Sequence, residues 1–152
     1  MKLSRLASAA RGARALAKRR RLDFIGWTPP QAAFLRDPSK TKLLRTGNQL
    51  GKTTAGLSEM IYRCRGDPPF LDVPPPPITA WALAASWPQS LSLQHKLNEL
   101  LDPDELDPRT RTFDPKHGFG ANGPVVLFKN GSIIRIRTTQ QAGLDLSGAT
   151  IH

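Results

Sequence analysis

The amino-acid sequence predicts an α/β fold in which a mainly parallel sheet is flanked by helices. Two observations lead to this class. Apolar segments of strand length alternate along the chain with longer segments in which apolar residues recur every three or four positions. The 152 residues also suffice for one compact domain. The only cysteine, Cys64, has no partner for an internal disulfide, and the longest mainly apolar run is far shorter than the ~20 residues of a membrane-spanning helix.

A basic leader, residues 1–22, precedes the predicted domain, residues 23–152. Eight positive charges come before the first acid, Asp23, so only +2 of the net charge of +10 remains for the domain. Leucine and alanine recur in the leader at spacings of three and four, a pattern compatible with a basic amphipathic helix on an anionic surface. Three interpretations stay open: a disordered solvated tail, a contact with DNA or RNA phosphates, and an organelle transit peptide. A secretory signal is excluded because no uninterrupted apolar stretch follows the charges.

Three elements are predicted in the first half of the domain. In WTPPQAAFLRD, Thr28 caps a helix that has proline in its first turn and continues to about Arg36. TKLLRT, residues 41–46, is predicted as a short strand. Residues 52–65 suit a helix that Gly66 and the following prolines stop. The apolar side of that helix carries Leu57, Met60, Ile61 and Cys64.

The second half of the domain contains two further strand segments and a helix. ITAWALAA, residues 78–85, follows the stiff connector DVPPPP and is predicted as a strand buried on both faces, because it is almost continuously apolar. A helix is predicted from Pro88 to Leu101, followed by a long irregular loop with Asp-Pro and glycine signals. VVLFKNGSIIRIRTT, residues 125–139, is predicted as a hairpin with Asn130 and Gly131 at its turn, since both tolerate positive φ.

A glycine loop lies between the predicted strand 41–46 and the helix that follows, in the sequence LLRTGNQLGKTT. In this arrangement backbone N–H groups and a helix N-terminus point at an anion, which predicts a phosphate-binding loop (P-loop) for a nucleotide. Lys52 is expected to reach the β- and γ-phosphates of ATP, and the Thr53 hydroxyl to ligate Mg²⁺. Gly51 leaves room for the phosphates, and Gly47 suits the turn. The predicted nucleotide-binding residues of the loop are Thr46, Gly47, Asn48, Gln49, Leu50, Gly51, Lys52 and Thr53.

The loop departs from the strict Walker A pattern at one position. The pattern has a glycine five residues before Gly51, and this chain has Thr46 there. The alternative to a P-loop is therefore an ordinary strand-to-helix turn with an exposed lysine. The strand predicted before the loop and the helix predicted after it favour the P-loop.

Taken in order, these motifs resemble the large terminase subunits of tailed bacteriophages, the ATPases that drive DNA into the capsid. WTPPQAAFLRDPSKTKLLRTGNQLGKTTAGLSEMIYR is similar to the N-terminal signature of that family. WALAASWPQS, VVLFKNGSIIRIRTT and GLDLSGATIH are similar, in order and spacing, to the segments between its P-loop and its Walker B strand. The resemblance covers about residues 24–152. It implies a P-loop NTPase fold with an inserted β-hairpin and a role in viral genome packaging.

The same resemblance implies particular residues and partners. Gln31 matches the glutamine that reads adenine in such ATPases, because an amide both donates and accepts hydrogen bonds; the alternative is an exposed helix residue. Many family members carry an arginine in the loop where this chain has Asn48, and the nearest arginine is Arg45. The implied partners are double-stranded DNA, the small terminase subunit, the portal and further copies of the chain. The implied location is the cytoplasm of an infected or lysogenic bacterial host, without a membrane.

In the family, the segment similar to GLDLSGATIH leads into a Walker B strand that ends in Asp-Glu. No Asp or Glu follows Asp145, and the sequence ends at His152. We therefore expect the Walker B Asp-Glu pair to lie beyond His152 and the chain to be truncated before that strand. It should then contain no catalytic carboxylate, and bind ATP and Mg²⁺ without rapid hydrolysis.

Two other functions stay open. The first is another P-loop ATPase or kinase, such as a helicase-like ATPase. The second is a non-enzymatic basic nucleic-acid-binding module whose Gly-Lys-Thr is incidental.

Three weaker features are predicted to have structural roles. The acids of LDPDELDP lack the central glycine of a calcium loop, which favours a solvated Asp-Pro loop. The histidines have no metal-ligand spacing, and one cysteine cannot complete a zinc site. Trp81 could stack on nucleic-acid bases, but its position in an apolar segment favours packing in the core.

Overall fold

The structure is a computed structural model that describes residues 21–45, 47, 51–68, 71–120 and 124–139. Its elements follow the order α1 (Pro29–Arg36), α2 (Lys52–Arg65), β1 (Thr79–Ala84), α3 (Trp87–Leu100), β2 (Val125–Leu127) and β3 (Ile133–Thr138). Two short 3-10 helices lie at Arg21–Phe24 and Pro103–Glu105. The predicted α/β class is confirmed.

The described part of the chain forms a three-stranded sheet in the order β1-β3-β2. β1 and β3 are parallel, with Thr79 opposite Ile133 and Ala84 opposite Thr138. β2 and β3 are the antiparallel arms of the predicted hairpin. The sheet is therefore mixed, with one parallel and one antiparallel pair among these strands.

Helices α2 and α3 contact the sheet and share one apolar core with it. β3 reads IIRIRT, so the period of two places isoleucine on the core face and arginine on the other face. The core residues with no exposed surface include Ile61 of α2, Leu97 of α3, and Val126, Ile134 and Ile136 of the sheet. Leu22, near the end of the leader, is also buried there.

The three predicted helices are present. α1 begins after Thr28, and Gln31 completes a capping box at its N-terminus. α2 has the predicted bounds and ends at Gly66, whose φ of 79° lies in the left-handed region that favours glycine. α3 begins one residue before the predicted start, after the N-cap residue Ser86.

The predicted strand before the glycine loop is wrong over residues 41–45, which belong to neither a helix nor a strand. Leu43 is 81% exposed. The Lys42 Nζ atom donates to the Phe34 carbonyl at 3.1 Å and to Glu59 Oε1 at 2.8 Å. These bonds hold the segment against α1 and α2 through Lys42. The side chain of Leu43 is not buried in this arrangement. Thr46, the last residue of the predicted strand, lies outside the described residues.

β1 is buried on one face only, so the prediction that both faces are buried is wrong. Ala82 and Ala84 lie in the core, whereas Leu83 is 47% exposed and Trp81 is partly exposed. The expected core position of Trp81 is therefore also wrong. In the described chain, the helices pack on one side of the sheet. The apolar sequence of β1 predicts a strand but does not reveal whether one or both of its faces are buried.

The hairpin turn is also shifted from its predicted position. Gly131 N–H donates to the Phe128 carbonyl at 3.0 Å, and Phe128 N–H donates to the Ser132 carbonyl at 2.9 Å. The loop thus has three residues, with Lys129 and Asn130 at the centre of the turn and Gly131 following at a φ of 88°. The Asn130 side chain fixes this geometry, because its Nδ2 donates to the Cys64 carbonyl at 2.8 Å.

The acids of LDPDELDP are not all in a solvated loop as predicted. Arg65, whose side chain is 3% exposed, donates to Asp102 Oδ2 at 3.0 Å and to Glu105 Oε2 at 2.6 Å. The backbone N–H of Arg21 also donates to Asp102. The segment is therefore tied to the C-terminal end of α2 by a largely buried ion-pair cluster.

Candidate functional site

The candidate nucleotide site lies at the N-terminus of α2. The N-cap residue, Gly51, has φ 72° and ψ 24°, a left-handed conformation that suits glycine. The first intrahelical bond runs from Ala55 N–H to the Gly51 carbonyl at 3.0 Å. The N–H groups of the preceding first turn therefore point out of the helix end, where the helix dipole favours an anion. This first turn contains no acidic residue.

Lys52 is the first residue of α2, and its side chain folds back towards Gly47. Its Nζ atom donates to the Gly47 carbonyl at 3.0 Å. The ammonium group and the first-turn N–H groups thus lie at the same end of the helix. Thr53 follows and is an exposed residue. The structure brings together three of the predicted loop residues, Gly47, Gly51 and Lys52.

Gln31 joins α1 to the loop. Its Oε1 atom accepts from the N–H of Thr28 at 2.9 Å and from its hydroxyl at 3.0 Å. Its Nε2 atom donates to the Gly51 carbonyl at 3.3 Å. A Cβ atom on residue 51 would overlap that nitrogen. Gln31 is only 8% exposed, so the interpretation as an exposed helix residue is wrong.

The bonds of Gln31 bear on its predicted role as an adenine reader. Both ends of its amide already bond to Thr28 and Gly51, so an adenine would have to share or replace one of these partners. The contact that the structure provides is a bond to the backbone of Gly51, the N-cap residue of α2. A local sequence signal existed only for the bonds of Gln31 to Thr28, because a Thr-x-x-Gln pattern at a helix start indicates a capping box.

The remaining predicted site residues lie outside the described part of the chain: Thr46, Asn48, Gln49 and Leu50. Arg45, the arginine nearest to the loop, is exposed. Residues 1–20 of the leader lie outside it as well.

The C-terminal segment, residues 140–152, is also outside the described residues. It includes GLDLSGATIH and ends at His152. The expected position of the Walker B Asp-Glu pair beyond His152, and with it the expected truncation, therefore stays a prediction.

Comparison with known proteins gives no relative for the chain. No family model, curated protein or solved structure matches it.

Within the described residues, no group of three or more His, Cys, Asp or Glu side chains is placed to hold a metal ion. None of the helices described is long and apolar enough to cross a membrane.

A second cluster, of one aromatic and two basic side chains, lies on the sheet, and the sequence predictions missed it. The Cζ atoms of Arg135 and Arg137 lie 6.0 Å and 5.8 Å from the centroid of the Trp81 ring. The alternation of isoleucine and arginine in IIRIRT places both arginines on one face, and this signal was available. Their position beside Trp81 depends on the register of β1 against β3, which no local pattern specifies.

Proposed function

We propose that this chain is the ATP-binding part of a terminase-type, DNA-packaging P-loop ATPase. It acts in the cytoplasm of an infected or lysogenic bacterial host, with double-stranded DNA, the small terminase subunit, the portal and further copies of itself as partners. One observation carries the nucleotide part: Lys52 lies beside left-handed Gly51 at the start of a 14-residue helix. The ordered sequence motifs support the terminase part.

The described residues fit the phosphates of ATP. The first-turn N–H groups of α2 are donors to phosphate oxygens, and Gly51 presents no Cβ atom to them. Lys52 exchanges its bond to the neutral Gly47 carbonyl for a stronger, charge-assisted bond to phosphate. The hydroxyl of Thr53, an exposed residue, is a ligand for the accompanying Mg²⁺. Bound ATP supplies the phosphoanhydride bond whose cleavage drives such motors.

Thermal unfolding with and without ATP and Mg²⁺ tests the nucleotide site. At a ligand concentration of about 100 times Kd, binding adds about 2.7 kcal/mol to the free energy of unfolding. For a chain of this size that raises Tm by roughly 5–10 °C. Lys52→Ala should remove most of this shift, because it deletes the charged contact to phosphate.

Lys96→Ala is the matched control, since it removes an exposed lysine that pairs with Glu99 on α3. It should leave the ATP shift intact. Equal shifts in the wild type and Lys52→Ala would contradict the phosphate-binding assignment. A shift produced by Mg²⁺ alone would assign the effect to the cation.

The alternative of a non-enzymatic nucleic-acid-binding module is favoured by the arginines beside Trp81. It predicts nucleic-acid binding together with no ATP-dependent change in Tm.

Another P-loop ATPase or kinase would show the same ATP-dependent rise in Tm, so the terminase assignment needs a second measurement. Binding of the chain to a purified portal or small terminase subunit would support it.

A further inference from the structure

One face of the sheet carries residues that keep solvent exposure, and we call it the open face. It consists of the residues that alternate with the buried ones: Thr79, Trp81 and Leu83 on β1, Ile133, Arg135 and Arg137 on β3, and Val125 and Leu127 on β2. All of these residues are partly or fully exposed. The alternate positions on β3, from Ile134 to Thr138, are buried on the other face.

Trp81 lies at the centre of the arginine cluster on this face. In the strand register it is directly opposite Arg135, and Arg137 is opposite Leu83. Both guanidinium groups are within 6.0 Å of the indole ring, the range of cation–π attraction. The open face thus combines an aromatic ring, two permanent positive charges and apolar neighbours.

The charge of the open face restricts what can cover it. Its residues include two arginines and no acid. Burying the Arg135 guanidinium under an apolar helix would remove it from water without a counter-charge, which is costly. A partner that covers Arg135 must therefore bring negative charge. The basic leader cannot supply it, because it has no acid before Asp23.

We propose that the open face binds single-stranded nucleic acid. Unpaired bases stack on indole rings and on guanidinium planes, so Trp81 and the arginines supply both kinds of platform. Phosphates pair with Arg135 and Arg137, and Leu83 adds apolar contact. A duplex keeps its bases stacked on one another, so it can use the charges of this face but not the ring. The site is remote in sequence from Lys52, and the inference does not depend on ATP binding.

Binding of the full chain to a fluorescein-labelled dT12 oligonucleotide, followed by anisotropy, tests the proposal. Trp81→Leu should weaken binding by about fivefold to a hundredfold, which corresponds to the removal of one base–aromatic stack. Arg135→Gln/Arg137→Gln should weaken binding and lower the salt slope, by about 0.7 for each phosphate that is no longer neutralised. In the wild type, dT12 should quench a tryptophan emission that is missing in Trp81→Leu.

The control Lys40→Gln/Lys116→Gln removes two exposed charges away from the sheet. It should change the affinity much less than the arginine pair does, since the leader contributes equally to every variant. Trp81→Phe keeps an aromatic ring and should bind dT12 more tightly than Trp81→Leu does. This comparison separates the loss of stacking from a folding defect. Each variant is compared by circular dichroism and Tm.

Three kinds of result would overturn the proposal. One is equal weakening in the lysine control and the arginine variant. Another is unchanged dT12 affinity in a folded Trp81→Leu variant, or equal dependence on Trp81 for duplex and single strand. The third is a competition result. If polyglutamate displaces labelled dT12 as well as unlabelled dT12 does, at equal concentrations of negative charge, the partner is an acidic protein segment. Loss of ATP binding in Lys52→Ala leaves every one of these outcomes unaffected.

Discussion

Cys64 lies in the core on the apolar side of α2, with no exposed surface. Burial raises the pKa of its thiol from 9.0 to about 12, because the thiolate would lose its hydration. Thiolate is the reactive form. We expect the native chain to react with a thiol reagent at pH 8 far more slowly than the chain in denaturant. Equal rates of labelling in the two states would contradict the buried position.

The same shift makes stability depend on pH. Above pH 9 the unfolded thiol loses its proton while the folded thiol keeps it, so unfolding releases protons. The stabilisation is complete below pH 9 and is lost as the pH rises towards 12. Cys64→Ala should reduce this decline, and the difference between the two proteins in urea unfolding at several pH values isolates the thiol from other titrating groups.

At the scale of elements, Arg65 connects the end of α2 to the 3-10 helix Pro103–Glu105. Its side chain is 3% exposed and bonds two carboxylates, those of Asp102 and Glu105. Arg65→Met keeps most of the side-chain volume but leaves both carboxylates without this cation in a largely buried place. Removing one partner of a buried ion pair costs about 3–5 kcal/mol, and we expect a loss of this size in urea unfolding.

Arg63→Met is the matched control on the same helix. Arg63 pairs with Glu59 at 2.8 Å, but its side chain is 36% exposed and Lys42 also bonds that carboxylate. Exposed pairs of this kind contribute about 0–1 kcal/mol. Similar losses for the two variants would show that the Arg65 cluster is hydrated in solution.

The elements that the sequence predicted well have a local signal at one end or at both. Gly51 and Gly66 bound α2, and Thr28 with its prolines starts α1. The strand at 41–45 failed because its apolar residues were the only signal, while Lys42 found partners on two helices. The Arg65 cluster had no local signal at all, since its acids lie 37 and 40 residues away.

Charge is uneven along the whole molecule, because the leader holds eight of the positive charges. If the leader contacts phosphates, deletion of residues 2–20 should weaken binding to duplex DNA. It should also lower the salt slope by up to about 0.9 for each phosphate that the leader neutralises. An unchanged slope would favour the solvated-tail interpretation. Trp81→Leu is the control here, because its effect should fall on single strands and not on the duplex.

The whole fold was predictable to the level of its class, and the geometry of the candidate nucleotide site only in part. Glycine, lysine and threonine spacing indicated Gly51, Lys52 and Thr53 without any knowledge of contacts. Predicting the exposure of Trp81 would have required the arrangement of the helices around the sheet. That arrangement is defined only by the packing of all the elements together. The link from Gln31 to Gly51 likewise needed the distance between two elements that are far apart in the sequence.

That link also constrains how the sequence can diverge. A side chain at position 51 is disfavoured twice, by the positive φ of Gly51 and by its overlap with the amide of Gln31, which would have to move and leave its bond to Gly51. Replacing Gln31 first removes one of the two obstacles, so the order in which substitutions arise matters. In a double-mutant cycle, Gly51→Ala should cost less in a Gln31→Ala background than in the wild type, with the cost of the left-handed backbone remaining. The two positions are thus expected to change together in any lineage that loses this glycine.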